Sequence, residues 1–296
     1  MQTLWRRAQE PLSVLAITLG VALVSQRWAS WATPDSSFYL SLGSYGSAVT
    51  DRAPFTSYYW TRLGEIVPLR ALTGVLGTWP GAIAYHYLLL LVVVAATWVA
   101  LRRVTGRWTT AFLTITVATS TVVLSFLGNP YLTGLVMAGT LVVIACALVG
   151  GWRAASIAGV TLGWLAMTNP AGVLMAGVIW VVLAIHARTR LIAYAAAAAT
   201  TVLTFVAFLG LGRIVFPRMD WLGSYLDATG RLTMSNFASK SPVWLHDISL
   251  IVPVIVLIVA IGTVVMRRRN RAAQAAVLVS SSSIAFMLVF NPLMGG

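Results

Sequence analysis

Nine apolar stretches, nearly free of charge, constrain this chain more than any other feature. They fall at roughly 11–31, 81–101, 109–127, 131–150, 154–168, 171–186, 191–211, 248–266 and 272–290. Most are close to the ~20 residues with which a helix crosses ~30 Å of hydrocarbon. A membrane β-barrel needs shorter strands with polar residues interleaved, so helices are predicted. Composition agrees, with 59% of the 296 residues hydrophobic and 9% charged, against about 25% charged in a soluble domain. These values exclude an ordinary soluble domain, a disordered chain and a secreted disulfide scaffold. The expected fold is all-α: a polytopic transmembrane helical bundle of about nine spans with a helical first outer loop. Residues 1–296 are expected to form a single transmembrane domain.

The formal charge of +13 would suggest nucleic acid in a soluble protein. Here most arginines cluster at the ends of apolar runs, which reads as topology and lipid-headgroup contact, with no nucleic-acid partner. With the N-terminus inside, the inner pieces are 1–10, 102–108, 151–153, 187–190 and 267–271. They hold 12 of the 20 Lys and Arg in 29 residues. The outer pieces, 32–80, 128–130, 169–170 and 212–247, hold seven in 90 residues. The positive-inside rule therefore predicts a multi-pass protein of the plasma (inner) membrane with a cytoplasmic N-terminus. MQTLWRR and the run after it resemble a signal peptide, but no A-x-A site follows, so an uncleaved first span is expected. A single kinked helix over 154–186 is the rival to two short helices joined at Thr168-Asn169-Pro170. It would put Arg267–Arg271 outside, so two helices are expected. Gly128-Asn129-Pro130 is predicted to make a similar outer turn.

Two long outer segments, 32–80 and 212–247, carry six of the seven acids. Any active site is therefore expected to be extracytoplasmic. In WATPDSSFYLSLGSYG, Thr33 suits an N-cap and Pro34 the first helical position. Asp35 then falls in the first turn, where the helix dipole favours its ionised form, with Tyr39 one turn further on the same face. A carboxylate held there suits a general base toward a sugar hydroxyl, and would equally suit a divalent ion or serve only its own helix. Asp51, Arg52 and Pro54 mark a turn, followed by Phe55, Tyr58, Tyr59 and Trp60. From Arg62 onward, Leu63, Ile66, Val67, Leu72, Val75 and Leu76 are predicted to line one side of an interfacial helix interrupted at Pro68. Arg62, Glu65 and Arg70 would supply its polar contacts. Arg52 or Arg62 either snorkels to the surface or grips a lipid-linked phosphate. The second segment adds Arg213, Arg218, Arg231 and Lys240 with Trp221, Tyr225 and Trp244, a composition for phosphate and sugar rings or for a plain interfacial loop. His246-Asp247 reads as a helix cap or a hydrogen-bonded pair.

His86, in the outer part of the second span, is expected to make a structural hydrogen bond. Ser280–Ser283 are expected to support helix contact. Cys146 stands alone in an apolar run, and His86, His186 and His246 are far apart, so no Cys/His metal site is expected. No Walker A, GxGxxG or GxSxG element occurs, so no nucleotide cofactor is expected.

The layout resembles the GT-C superfamily of integral membrane glycosyltransferases, which includes protein mannosyltransferases and aminoarabinose transferases of lipid A. The resemblance lies in one span from an inside N-terminus and an outer loop opening on PDSSFYLSL. Asp51, the segment YYWTRLGEIVPLRALTGVLG and paired spans with short outer turns follow. GVTLGWLAMTNPAGVLM is similar to that family's Gly-rich span and turn. It covers roughly residues 1–290 and implies transfer of a sugar from a polyprenyl-phosphate donor to an acceptor at the outer face. An acid of the first outer loop would be the base, with inversion at the anomeric carbon. Asp35 is the position this implies, with Asp51 second. Tyr39, Arg52, Tyr59, Arg62, Arg213, Arg218 and Arg231 would bind substrate, the arginines stabilising the leaving phosphate. Many members have two adjacent acids where this chain has Asp35-Ser36-Ser37, and many continue beyond a point matching FNPLMGG. A compact or C-terminally truncated member, or one lacking its acceptor-recognition part, is therefore expected, with membrane lipids and a membrane protein among its partners.

Two other functions are compatible with the sequence. One is a transporter or flippase of a lipid-linked or small substrate, which calls for polar residues along a path through the spans. The other is a non-catalytic membrane subunit.

Overall fold

The computed structural model describes residues 2–25, 34–45, 62–128, 132–216, 223, 251–266 and 271–289. Among them the secondary structure is helical, without strands. The helices are α1 (Gln2–Ser25), α2 (Pro34–Tyr45), α3 (Leu63–Leu76), α4 (Thr78–Val104), α5 (Arg107–Ala118) and α6 (Thr121–Gly128). They continue as α7 (Leu132–Val149), α8 (Gly151–Ala166), α9 (Pro170–His186), α10 (Leu191–Val215), α11 (Ile251–Met266) and α12 (Arg271–Val289). Three of them, α4, α7 and α10, are long and apolar enough to cross a membrane, and α5 with α6 would make a fourth if the bent pair is one span. Helices α1, α9 and α11 contain shorter apolar stretches. Each of the nine predicted apolar stretches thus overlaps a helix or a helix pair, while among the described residues three helices, or four with the bent pair, are long and apolar enough to cross a membrane.

The stretch 109–127 is predicted as one span, yet it is bent by 52° between α5 and α6. Local side-chain bonds explain the break. The Thr119 hydroxyl donates to Ile115 O at 2.8 Å, and the Ser120 hydroxyl to Val117 O at 2.8 Å. Ser120 Oγ also accepts the Val123 N–H at 3.3 Å, acting as an N-cap for α6. Between α8 and α9 the chain turns at Met167–Asn169, as two-helix reading of 154–186 requires. The Asn169 N–H closes the end of α8 on Leu165 O at 2.7 Å, and Pro170 takes the first position of α9. The two helices then fold back on each other, with Leu162 of α8 against Gly177 of α9.

Helix α8 packs extensively on α10, and small residues make the close approach possible. A Cβ added at Gly159 would collide with Ala197 O and Thr200 Oγ1, and one at Gly163 with Thr201 O. Gly159 and Gly163 thus form a small-xxx-small stripe on which α10 lies. The Thr200 and Thr201 hydroxyls, bonded within α10 to Ala196 O and Ala197 O at 2.8 Å, share their protons with Ser156 O at 3.0 Å and Gly159 O at 3.1 Å of α8. Helix α7 packs on α4, α8 and α9, while α12 packs on α9 and α11. Ser280 and Ser282 are buried in α12, in keeping with the helix contact expected of that serine run.

The outward faces are apolar: Leu191, Leu203, Ile214 and Val24 are all well exposed. At one end Arg107 stacks on Trp108 and Arg153 on Trp152. Glu10 of α1 pairs with Arg107 at 2.6 Å, so the first turns of α5 lie beside α1 at that end.

Candidate functional site

Residues 62–76, part of the segment expected on the outer side, fold back into the protein. Helix α3 packs on α2, α4, α8 and α10. Its buried residues are Leu63, Gly64, Glu65, Ile66, Leu69 and Thr73. Val75 and Leu76, predicted for the apolar side, are exposed instead. The buried side is therefore rotated from the predicted one, and it carries an acid.

Helix α3 also runs through Pro68 without the predicted interruption. A proline cannot donate to the carbonyl four residues back, here that of Gly64. Trp164 of α8 replaces the missing donor: its Nε1–H reaches Gly64 O at 2.7 Å. Two further bonds fix the start of α3 on the turn after α8. The Gly64 N–H donates to Met167 O at 2.8 Å, and Arg62 Nη1 to Thr168 O at 2.8 Å. Gly64 is needed there, since a Cβ would overlap Thr168 Oγ1 and stand 2.8 Å from Trp164 O.

At its other end α3 passes into α4 through Gly77, whose φ of 89° suits glycine. The two helices form a hairpin, and Gly81 lies so close to Thr73 that a Cβ would sit 2.6 Å from its backbone. The open end of the hairpin is joined by Tyr85 of α4, whose hydroxyl donates to Glu65 Oε2 at 2.9 Å. Glu65 is 1% exposed, Tyr85 3% and His86 1%. Among the described residues Glu65 Oε1 and both ring nitrogens of His86 have no hydrogen-bond partner. Burial raises the Glu65 carboxyl to about 7, with the Tyr85 bond acting in the opposite direction. The structural hydrogen bond expected of His86 is thus missing among the described residues.

Beside this junction runs a groove of about 620 Å³ between α3, α4, α7 and α8, lined by residues including Pro68, Leu72, Tyr85, Leu135 and Trp164. It extends along α8 from Trp164 to Ser156, about 12 Å of helix. Its volume and apolar wall are those of a ligand pocket with few polar groups. Tyr85 and Trp164 each face the groove and bond to α3, so the junction forms one end of it.

The residues singled out from the sequence are dispersed. Asp35 lies in the first turn of α2, which begins at Pro34 as predicted; its carboxyl is outside the described residues. Tyr39 is fully buried among Leu42, Leu63, Ile66, Met167 and Phe208. Arg62 is buried and directed to the α8–α9 turn, whereas Arg213 is exposed at the end of α10. Asp51, Arg52, Tyr59, Arg218 and Arg231 lie outside the described residues, as do Lys240 and His246-Asp247. Glu65 and Tyr85 were not singled out as site residues. The signal for Glu65 was its spacing, three residues after Arg62 and four before Leu69, which puts it on one helical face with those two residues and Ile66.

Fold and junction together define a protein that is helical over its described residues, with several helices long and apolar enough to cross a membrane. Comparison with protein-family models, with curated proteins and with solved structures found no match.

Proposed function

We propose that the chain is a nine-span membrane glycosyltransferase. It moves a sugar from a polyprenyl-phosphate donor to an acceptor at the extracytoplasmic face, with inversion. The observation that carries this reading is the groove. An apolar groove of about 620 Å³ between helices, ending at an acid-bearing segment, suits a substrate with a hydrocarbon chain and a polar head. The clustering of arginines and exposed tryptophans at the opposite end supports the orientation, with the N-terminus cytoplasmic.

In this mechanism an acid of the first outer segment takes the proton of the acceptor hydroxyl. The oxygen attacks the anomeric carbon, and the polyprenyl phosphate leaves toward arginines of the outer segments. Asp35, at the start of α2, is the proposed base, with Asp51 second. The test is transfer of radiolabel from polyprenyl-phosphate sugars in membranes containing the wild type or Asp35→Asn. Label transfer by the wild type and its loss in the variant support the assignment. Undiminished transfer by Asp35→Asn removes Asp35 as base, and no transfer by the wild type from any such donor removes the enzyme.

One observation favours transport of a lipid-linked or small substrate as the second reading. Glu65 and His86 are buried with unpartnered polar atoms, and ionisable groups among membrane helices commonly mark a substrate or proton path. Donor-dependent movement of a labelled lipid across vesicles, without sugar transfer, would select that reading.

A further inference from the structure

The α3–α4 hairpin has a corner, a catch and an unbalanced group. Its corner is Gly77, and its catch is the bond from Tyr85 to Glu65. The unbalanced group is the Glu65 carboxyl, which is buried and receives one phenol on Oε2 while Oε1 has no partner among the described residues. An ionised carboxylate taken out of water requires a cation or several donors, and one neutral hydroxyl is too little compensation. The neutral acid is the form that fits the closed hairpin.

We propose that Glu65 is a proton-binding site that controls the outer end of the groove: protonated, it keeps α4 against α3, and on losing its proton to water it loosens that contact. The start of α3 is itself fixed to the α8–α9 turn by the bonds of Arg62, Gly64 and Trp164. The contact that yields is therefore the one between α3 and α4, where Tyr85 lines the groove. Water entering to solvate the carboxylate widens the groove at Tyr85. Such a site serves a transferase or a transporter alike, and it does not depend on which of the two the chain is.

The titratable and charged groups on the elements around Glu65 are few. Helix α3 and its start carry Arg62 and Arg70. Helix α4 brings Tyr85, which donates to the carboxyl, and His86 and Tyr87 beside it. Helix α2 carries Asp35, Tyr39 and Tyr45, and α10 carries Tyr194 and Arg213. Arg153 and the α8–α9 turn complete the set, the former at the far end of α8 and the latter without a titratable side chain. His86 is the group whose own protonation would oppose that of Glu65, so its variant is a necessary control.

The experiment is infrared titration of the purified full chain in detergent, following the carbonyl stretch that a protonated carboxyl has and a carboxylate lacks. Amide hydrogen exchange over residues 63–92 is recorded on the same samples. The wild type is expected to lose the band with a midpoint near 7, and Glu65→Gln to lack it. Tyr85→Phe should move the midpoint upward, because the phenol bond favours the carboxylate. His86→Ala should retain the band. Exchange in the hairpin, corrected for the chemical exchange rate, should rise several-fold above the midpoint in the wild type and remain constant in Glu65→Gln. A wild-type-minus-Glu65→Gln difference band with an ordinary exposed-carboxyl midpoint overturns the proposal, as does the absence of any difference band or an equal rise of exchange in both proteins. If Glu65→Gln does not fold, the wild-type midpoint and the direction of the Tyr85→Phe shift decide, and a downward or absent shift also overturns it.

Discussion

Helices α8 and α10 meet along Gly159 and Gly163, where Thr200 and Thr201 both reach carbonyls of the opposite helix. Helices α3 and α4 also meet closely, along Gly81 and Thr73, but there Glu65 Oε1 and both ring nitrogens of His86 have no hydrogen-bond partner among the described residues. Both contacts use glycine to bring backbones together. They differ in how polar groups are treated, and that difference separates scaffold from site. A seam with satisfied polar groups is stable at any ordinary pH. A junction that leaves a carboxyl and an imidazole short of partners forgoes stability, as functional sites commonly do.

The largest effect should come from breaking the seam. Gly159→Leu forces a side chain into the carbonyl of Ala197 and the hydroxyl of Thr200, backbone and near-backbone atoms that cannot move aside. A loss of about 3 kcal/mol, and of much of the monodisperse protein, is expected in thermal unfolding in detergent. The junction should respond to pH with almost the same magnitude. Glu65 is raised from its ordinary 4.5 to about 7 in the folded chain. Its contribution to stability is then complete below about 4.5 and is lost as the pH rises to about 7, some 3 kcal/mol in total. Melting temperatures of the wild type should fall across that window, and those of Glu65→Gln should not.

A smaller change tests how the two regions are joined. Trp164→Phe retains the ring but removes the donor to Gly64 O, leaving a carbonyl unpaired beside Pro68. About 2 kcal/mol should be lost, together with a kink in α3 that shows as faster exchange over 63–68. The smallest effect belongs to the seam hydroxyls. Thr201→Val removes the reach to Gly159 O and should cost about 0.6 kcal/mol, the usual worth of an interhelical bond among membrane helices. A large loss at Thr201 with a small one at Gly159 would invert the comparison.

Much of the fold was legible because apolar periodicity and turn residues act locally. The stretches 81–101, 131–150 and 191–211 coincide with α4, α7 and α10, and Thr168-Asn169-Pro170 does separate two helices. What was not legible depended on partners far away in sequence. Pro68 announces a break, but the donor that prevents it comes from Trp164, 96 residues further along. Glu65 announces a polar contact, and only the packing of α3 on four other helices turns it into a buried acid. The bend at Thr119-Ser120 was written locally, in two hydroxyls able to bond the preceding carbonyls, and it was missed because their apolar surroundings suggested one continuous span. At the candidate site the start of α2 at Pro34 was readable from Thr33, Pro34 and Asp35. The burial of Tyr39 and Arg62 was not, since surface aromatics and arginines look the same in sequence as buried ones.

The most direct measurement is amide exchange resolved by helix at pH 6 and pH 8.5, corrected for the chemical exchange rate. A proton-sensitive junction beside a fixed seam predicts faster exchange over 63–92 at the higher pH and no change over 156–163 or 197–204. Exchange that rises equally in both regions, or in neither, would contradict it.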